Sequence, residues 1–229
     1  MNAAFDLTSE SRGALPILYS FKRCPYAMRA RLALAVGSHA CELREIVLKD
    51  KPASLLSASA KGTVPVLVLA GGRVIDQSLD IMLWALRQRD PEGWLTPDGD
   101  SLSDMLALIQ TCDQGFKADL DRYKYPNRFG VDPVLHRSQG MAWLNTLRPR
   151  LTLNAFFSGP RPALADFATA PFVRQFAHTD VPWFEQNADP ALQRWLAHCL
   201  ALPVFAQVMH KYPVWVEGTP GVAFPPHAP

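Results

Sequence analysis

Strand signals crowd into the first third of this chain and nearly vanish after residue 92, while helical spacing runs on to residue 208. A chain divided this way folds as an α/β unit followed by a helical one. Leu15 to Tyr19 reads as a short buried strand. After Cys24, Ala27, Ala30, Leu34 and Ala35 recur at helical spacing, and Gly37 is a stop. Arg29 and Arg31 are expected on the solvated side of this helix or near the domain boundary. Cys41 to Leu48 is a second strand, with Leu43, Ile46 and Val47 as its apolar members, and Pro52 to Leu56 is one helical turn. Gly62 to Leu69 reads as a third strand, with Pro65 at its entry because proline cannot donate to a ladder. The Val64–Pro65 bond stays open between cis and trans. Gly71-Gly72 signals a hairpin returning through Arg73 to Ile75, and Ser78 opens a helix bearing Ile81, Met82, Leu83 and Ala85.

Glu92 to Asp98 reads as a linker. Beyond it, Leu102, Met105, Ile109, Cys112, Phe116, Leu120 and Tyr123 form one long helical stripe, capped by Ser101 with Asp104 and ended by Pro126. Asp132 caps a helix with Pro133 in its first position, ending near Pro149. Ala163 to Ala177 follows, with Pro171 expected to kink or break it, then Pro190 to Leu200 and Pro203 to Val208. The Pro-rich tail from Pro220 is expected to lie extended on the surface or loose. The division is therefore a thioredoxin-like domain over residues 1–92 and an all-helical domain over 98–229.

The net charge of +2 is too small, and too evenly spread, to point to nucleic acid. No apolar run is long enough to span a bilayer. Met1 to Gly13 has Asp6 and Glu10 and no apolar core, so it does not read as a secretion signal. The four cysteines and six histidines fall in no metal-binding spacing. A reduced, cytoplasmic protein without a metal is the simplest account.

The chemistry points to Arg23-Cys24-Pro25-Tyr26. Pro25 suits a first helical position, which puts the Cys24 sulfur beside the unpaired N–H groups of the first turn. With Lys22 and Arg23 nearby, this setting is expected to lower the thiol pKa. A buried, inert cysteine is the alternative. Asp76, Gln77 and Ser78 stand at a helix start, either as an anion site or as simple capping by Asp76 or Ser78, which is slightly favoured.

Strand–helix–strand, hairpin and helix, with an early cysteine, is the thioredoxin-like order. Phe21 to Arg29, the Val64-Pro65 step and the Gln77-Ser78 pair together resemble the glutathione transferase family, and the cysteine type resembles its omega-class and related bacterial members. Leu48 to Pro52 and Asp121 to Tyr125 are similar to stretches in such members. Leu164 to Phe167 with Pro171 to Phe176 resembles the buried central helix of the family's C-terminal domain, although Ala163 stands where that family has a capping Ser or Thr. The resemblance implies a glutathione-dependent thiol transferase or reductase with Cys24 as nucleophile and glutathione as co-substrate. Val64, with Pro65, would hold the cysteinyl backbone. Gln77 and Ser78 would hold the γ-glutamyl end, and Lys51 the glycine carboxylate. Ala27 replaces the second cysteine of a dithiol enzyme, so glutathione itself would be the resolving thiol. Tyr26, Phe116, Arg122, Tyr123, Tyr125 and Trp143 are candidate walls of an acceptor pocket, or simply packing. A homodimer is implied. Two rival readings remain: a conjugating transferase using Tyr19 or Ser20, and a non-catalytic interaction module.

Overall fold

The computed structural model describes residues 14–226. The stretch read above as lacking a secretion signal, and the last three residues of the tail, lie outside the described residues. Strand β1 (Ile17–Ser20) alternates Leu18 toward one face of a sheet and Tyr19 toward the other. That alternation requires cover on both faces. Helix α1 (Pro25–Val36) returns the chain to β2 (Cys41–Glu45), parallel to β1. A short helix, α2 (Ala53–Ala58), leads to the hairpin β3 (Val66–Val68) and β4 (Val74–Ile75), and α3 (Ser78–Gln88) closes the unit. Leu18, Leu43 and Leu67 pack beneath α1 and α3; Tyr19, Ile46, Leu55 and Val66 form a smaller cluster on the opposite face. Leu15 is half exposed, and β1 starts at Ile17. The Val64–Pro65 peptide is cis.

The expected linker is not loose: Trp94 is buried and stacks on Phe167 at 4.0 Å. The predicted long helix is a continuous run of α4 (Leu102–Thr111), a π-helical turn (Cys112–Phe116) and α5 (Lys117–Lys124), with Ser101 and Asp104 capping each other. There follow α6 (Pro126–Phe129), α7 (Pro133–Thr146, capped by Asp132) and α8 (Arg148–Leu153). Next are the buried α9 (Leu164–Ala177), α10 (Val181–Asn187), α11 (Pro190–Ala201) and α12 (Pro203–Val208). Helices α6, α8 and α10, of 4, 6 and 7 residues, are too short to show a helical period in the sequence. Pro171 does not break α9. The neighbouring helices that bury it compensate for the one missing hydrogen bond. At its start, Asp166 accepts bonds from Ala163 N, Phe157 N and Trp195 Nε1 at 2.8, 3.0 and 2.7 Å. Ala163 returns none through its side chain.

The second half is not wholly helical, and its tail is not loose. β5 (Val222–Phe224) pairs antiparallel with β2, giving a five-stranded sheet in the order β4-β3-β1-β2-β5. Arg29 and Arg31 are not solvated; both are buried. Arg29 spans the domain boundary, donating from Nη1 and Nη2 to Asp113 at 2.8 and 2.7 Å and from Nε to Ala168 O at 2.5 Å. Among the described residues, no helix is long and apolar enough to cross a membrane.

Candidate active site

Cys24 occupies the position before α1, with extended backbone, and Pro25 takes the first helical turn. A short turn carries it there from β1: Cys24 N donates to Phe21 O at 3.0 Å. That turn is held from below. Lys22 N donates to Glu45 Oε1 at 2.5 Å, and Arg31 Nη2 donates to Lys22 O at 2.9 Å. The thiol donates to Val64 O at 3.6 Å, which sets it against the backbone step expected to hold glutathione.

Burial pushes the Cys24 thiol up, not down, and outweighs every influence favouring the thiolate. Those influences are the N–H groups of Ala27 and Tyr26, then the charges of Arg31 and Lys117. The helix start therefore acts as the sequence suggested, but the expected net lowering does not hold, because the half-sunk sulfur loses water. The cations that favour its thiolate are Arg31 and Lys117.

Two cavities meet at Tyr26. One, of about 330 Å³, is lined by Tyr26, Thr63, Val64, Pro65, Asp76, Gln77, Ser78 and Asp113. It brings together four of the five residues expected to hold glutathione. At its wall, Gln77 precedes α3 without a side-chain cap, and Ser78 is buried in the first turn. Neither Asp76 nor Ser78 caps the helix, contrary to the favoured reading. The Asp76 carboxylate accepts from Ser59 Oγ and Lys61 Nζ at 2.7 and 2.8 Å, which holds its pKa below the usual range. The first turn of α3 thus has no side-chain cap at the cavity wall. Lys51 lies outside both cavity walls, exposed beside Gly62.

The other cavity, of about 770 Å³, contains Cys24 and runs between the domains. Phe21, Arg23, Tyr26, Val47, Leu48 and Lys49 line it from the α/β side, and Lys117, Asp121, Lys124, Tyr125 and Gln175 from the helical side. Gln175 Nε2 donates to Arg23 O at 2.8 Å and ties the two walls together. Of the six candidate wall residues, Tyr26 and Tyr125 stand here. Phe116 and Trp143 do not: they stack on each other at 4.6 Å within the helical core. Tyr123 packs on Phe176 at 5.0 Å in the same core, and Arg122 lies over Phe129. The helical spacing of Phe116 and Tyr123 marked them as apolar-stripe residues, and that role prevails. Lys49, Lys117, Lys124, Gln175 and Asp113 were missed, because isolated polar residues on helix faces and loops read as ordinary surface.

The hydroxyls of the rival reading are engaged elsewhere. Ser20 is buried and accepts from Arg31 Nη1 at 2.5 Å, and the Tyr19 hydroxyl accepts from Arg44 Nη1 at 2.9 Å. Cys41, Cys112 and Cys199 are buried and unpaired, with burial pushing Cys41 and Cys112 up to about 12. None lines the cleft, and Ala27 lies fully buried in α1.

A family model described as glutathione S-transferase, N-terminal domain, matches residues 18–93, and one described as glutathione S-transferase, C-terminal domain, matches residues 137–198. The chain is similar to glutathione S-transferase omega-1 of Mus musculus, at 23% identity over 197 residues covering 86% of this chain and 77% of that protein. Among solved structures it is similar to a glutathione transferase family member from Pseudomonas fluorescens Pf-5 with two glutathione bound. The TM-score is 0.74 at 15% identity, covering 87% of this chain and 94% of that one. It is also similar to a tau class glutathione S-transferase from mango, Mangifera indica, with a TM-score of 0.72 at 21% identity over 86% and 93% of the two chains. These likenesses establish the architecture: a thioredoxin-like domain with a mixed sheet, joined to a helical domain.

Proposed function

Since the chain belongs to the glutathione S-transferase superfamily, we propose that it is a glutathione-dependent thiol transferase or reductase acting through a mixed disulfide between Cys24 and glutathione. One observation carries the reading: the Cys24 thiol sits at the start of α1, in the interdomain cleft and against the Val64 carbonyl. In the proposed reaction the Cys24 thiolate attacks the glutathionyl sulfur of a mixed disulfide, and the other thiolate leaves and takes up a proton. Glutathione thiolate then attacks the glutathionyl sulfur on Cys24, releasing glutathione disulfide and restoring the Cys24 thiolate. Val64 and Pro65 would hold the cysteinyl backbone and Gln77 and Ser78 the γ-glutamyl end. A carboxylate suits the uncapped first turn of α3. Lys51 would approach the glycine carboxylate from outside the described cavity walls. With Ala27 in α1 and no other cysteine in the cleft, resolution falls to external glutathione.

The engagement of Ser20 and Tyr19 counts against a conjugating enzyme built on those hydroxyls. A pure interaction module has no physical need for a nucleophile beside a γ-glutamyl pocket. Four free cysteines fit a reducing, cytoplasmic setting, and a homodimer is proposed by family likeness. The test is intact mass after incubation with glutathione disulfide at neutral pH, followed by a glutathione-coupled reductase assay. One glutathione adduct is expected on wild type and none on Cys24→Ser, with reductase activity abolished in the variant. An adduct that survives the substitution overturns the mechanism.

A further inference from the structure

We infer that the interdomain cleft selects acceptors whose leaving thiol carries an anionic group on a short apolar body; this rests on the thiol-transfer reading above. The cleft around Cys24 contains four cations, Arg23, Lys49, Lys117 and Lys124, against one carboxylate, Asp121. The whole chain carries only +2, so positive charge is concentrated here rather than spread over the surface. Lys117 is paired with Asp121. Among the described residues, Arg23, Lys49 and Lys124 form no ion pair.

Two of these three side chains, Arg23 and Lys124, are anchored against aromatic rings, while Lys49 is exposed at the cleft rim. Arg23 lies over the Phe21 ring at 5.3 Å, and its backbone carbonyl is held by Gln175. Lys124 lies over the Tyr125 ring at 5.2 Å and is half-buried. Cation–ring contacts restrain the head groups without neutralising them. Between the cations, Tyr26, Val47 and Leu48 offer apolar surface. The glutathione pocket lies on the other side of Tyr26. A mixed disulfide seated with its glutathionyl half in that pocket therefore extends its other half among the cations. When Cys24 attacks the glutathionyl sulfur, the S–S bond breaks and its electron pair leaves on the other thiol as thiolate, inside the same field. An anionic substituent adds to that attraction, and a cationic one opposes it.

The test uses three mixed disulfides of glutathione, with 3-mercaptopropionate, 2-mercaptoethanol and cysteamine. Their leaving groups are anionic, neutral and cationic. Each kcat/KM is divided by the uncatalysed rate with glutathione, which removes differences in intrinsic thiol reactivity. At low ionic strength the mercaptopropionate disulfide is expected to exceed the mercaptoethanol one by about tenfold, with cysteamine last. The ratio should shrink as salt rises, and should fall severalfold in the Lys49→Gln, Lys124→Gln double variant. Equal normalised rates for the three, or a ratio unmoved by both salt and the double variant, overturn the acceptor assignment and leave thiol transfer standing. Absence of turnover with all three overturns both.

Discussion

Cys24 shows how two opposed influences at one atom decide reactivity. The first turn of α1 and two cations favour its thiolate, and loss of water opposes it more strongly. The sign follows directly. With the pKa above the ordinary thiol range, the thiolate fraction at neutral pH is below that of a free cysteine, and it keeps growing at pH values where a free thiol has levelled off. The pH profile of iodoacetamide labelling of Cys24, followed by mass, should therefore have a midpoint above that of free cysteine measured alongside it. The thiolate that does form is the more nucleophilic for its high pKa. Lys117→Gln removes the smallest of the influences favouring the thiolate and should slow labelling at pH 7 slightly. A midpoint at or below that of free cysteine would contradict this balance. The position of Cys24 was legible because it is local: a strand end, a cysteine and a proline within a few residues. Its titration was not, since Arg31 and Lys117 reach it only through the fold.

The tail shows the same limit for a whole element. Val222-Ala223-Phe224 is too short to signal a strand, and its partner Cys41–Leu43 lies about 180 residues earlier. No local pattern contains that pairing. Its consequences are specific. β5 covers an edge of β2 that would otherwise offer unpaired backbone groups. Phe224 is fully buried against the sheet. Glu217 accepts from Ser54 N and Ala53 N at 2.7 and 3.0 Å, capping α2 where Pro52 has no side chain able to do so. Trp215 meets Tyr19 edge-on at 6.1 Å and carries Arg44 over its ring at 4.3 Å. Phe224→Ala should cost about 3 kcal/mol or more, roughly 6–12 °C in melting temperature for a chain of this size. A variant melting within 1 °C of wild type would show that the tail docks without stabilising the sheet. By contrast, the helices with full apolar stripes were legible, because the 3.6-residue period is written within each one.

At the scale of the molecule, the question is what holds the two walls of the cleft in register, since Cys24 stands on one and Lys117 on the other. Gln175 ties the rim, but the deeper tie is Arg29. Its guanidinium is fully buried, bonded to Asp113 of the π-helical turn and to Ala168 O of α9, and it lies over the Phe172 and Tyr26 rings at 4.5 and 5.4 Å. Tyr26 is the residue shared by both cavities, so the domain tie and the site share an anchor. A buried ion pair is weak evidence for stability, because desolvation offsets attraction; removing one member leaves the other uncompensated. Asp113→Ala should therefore destabilise by about 3–5 kcal/mol, while the Arg29→Met, Asp113→Ala double variant should recover much of that loss. If the double variant is as unstable as the sum of the two singles, the pair does not act as a coupled unit. Tyr26 separates structure from function in the same pair of proteins. In the double variant Tyr26 loses the guanidinium over its ring and the proposed glutathione cavity loses the Asp113 carboxylate from its wall, so stability should return more fully than affinity for glutathione as the proposed co-substrate.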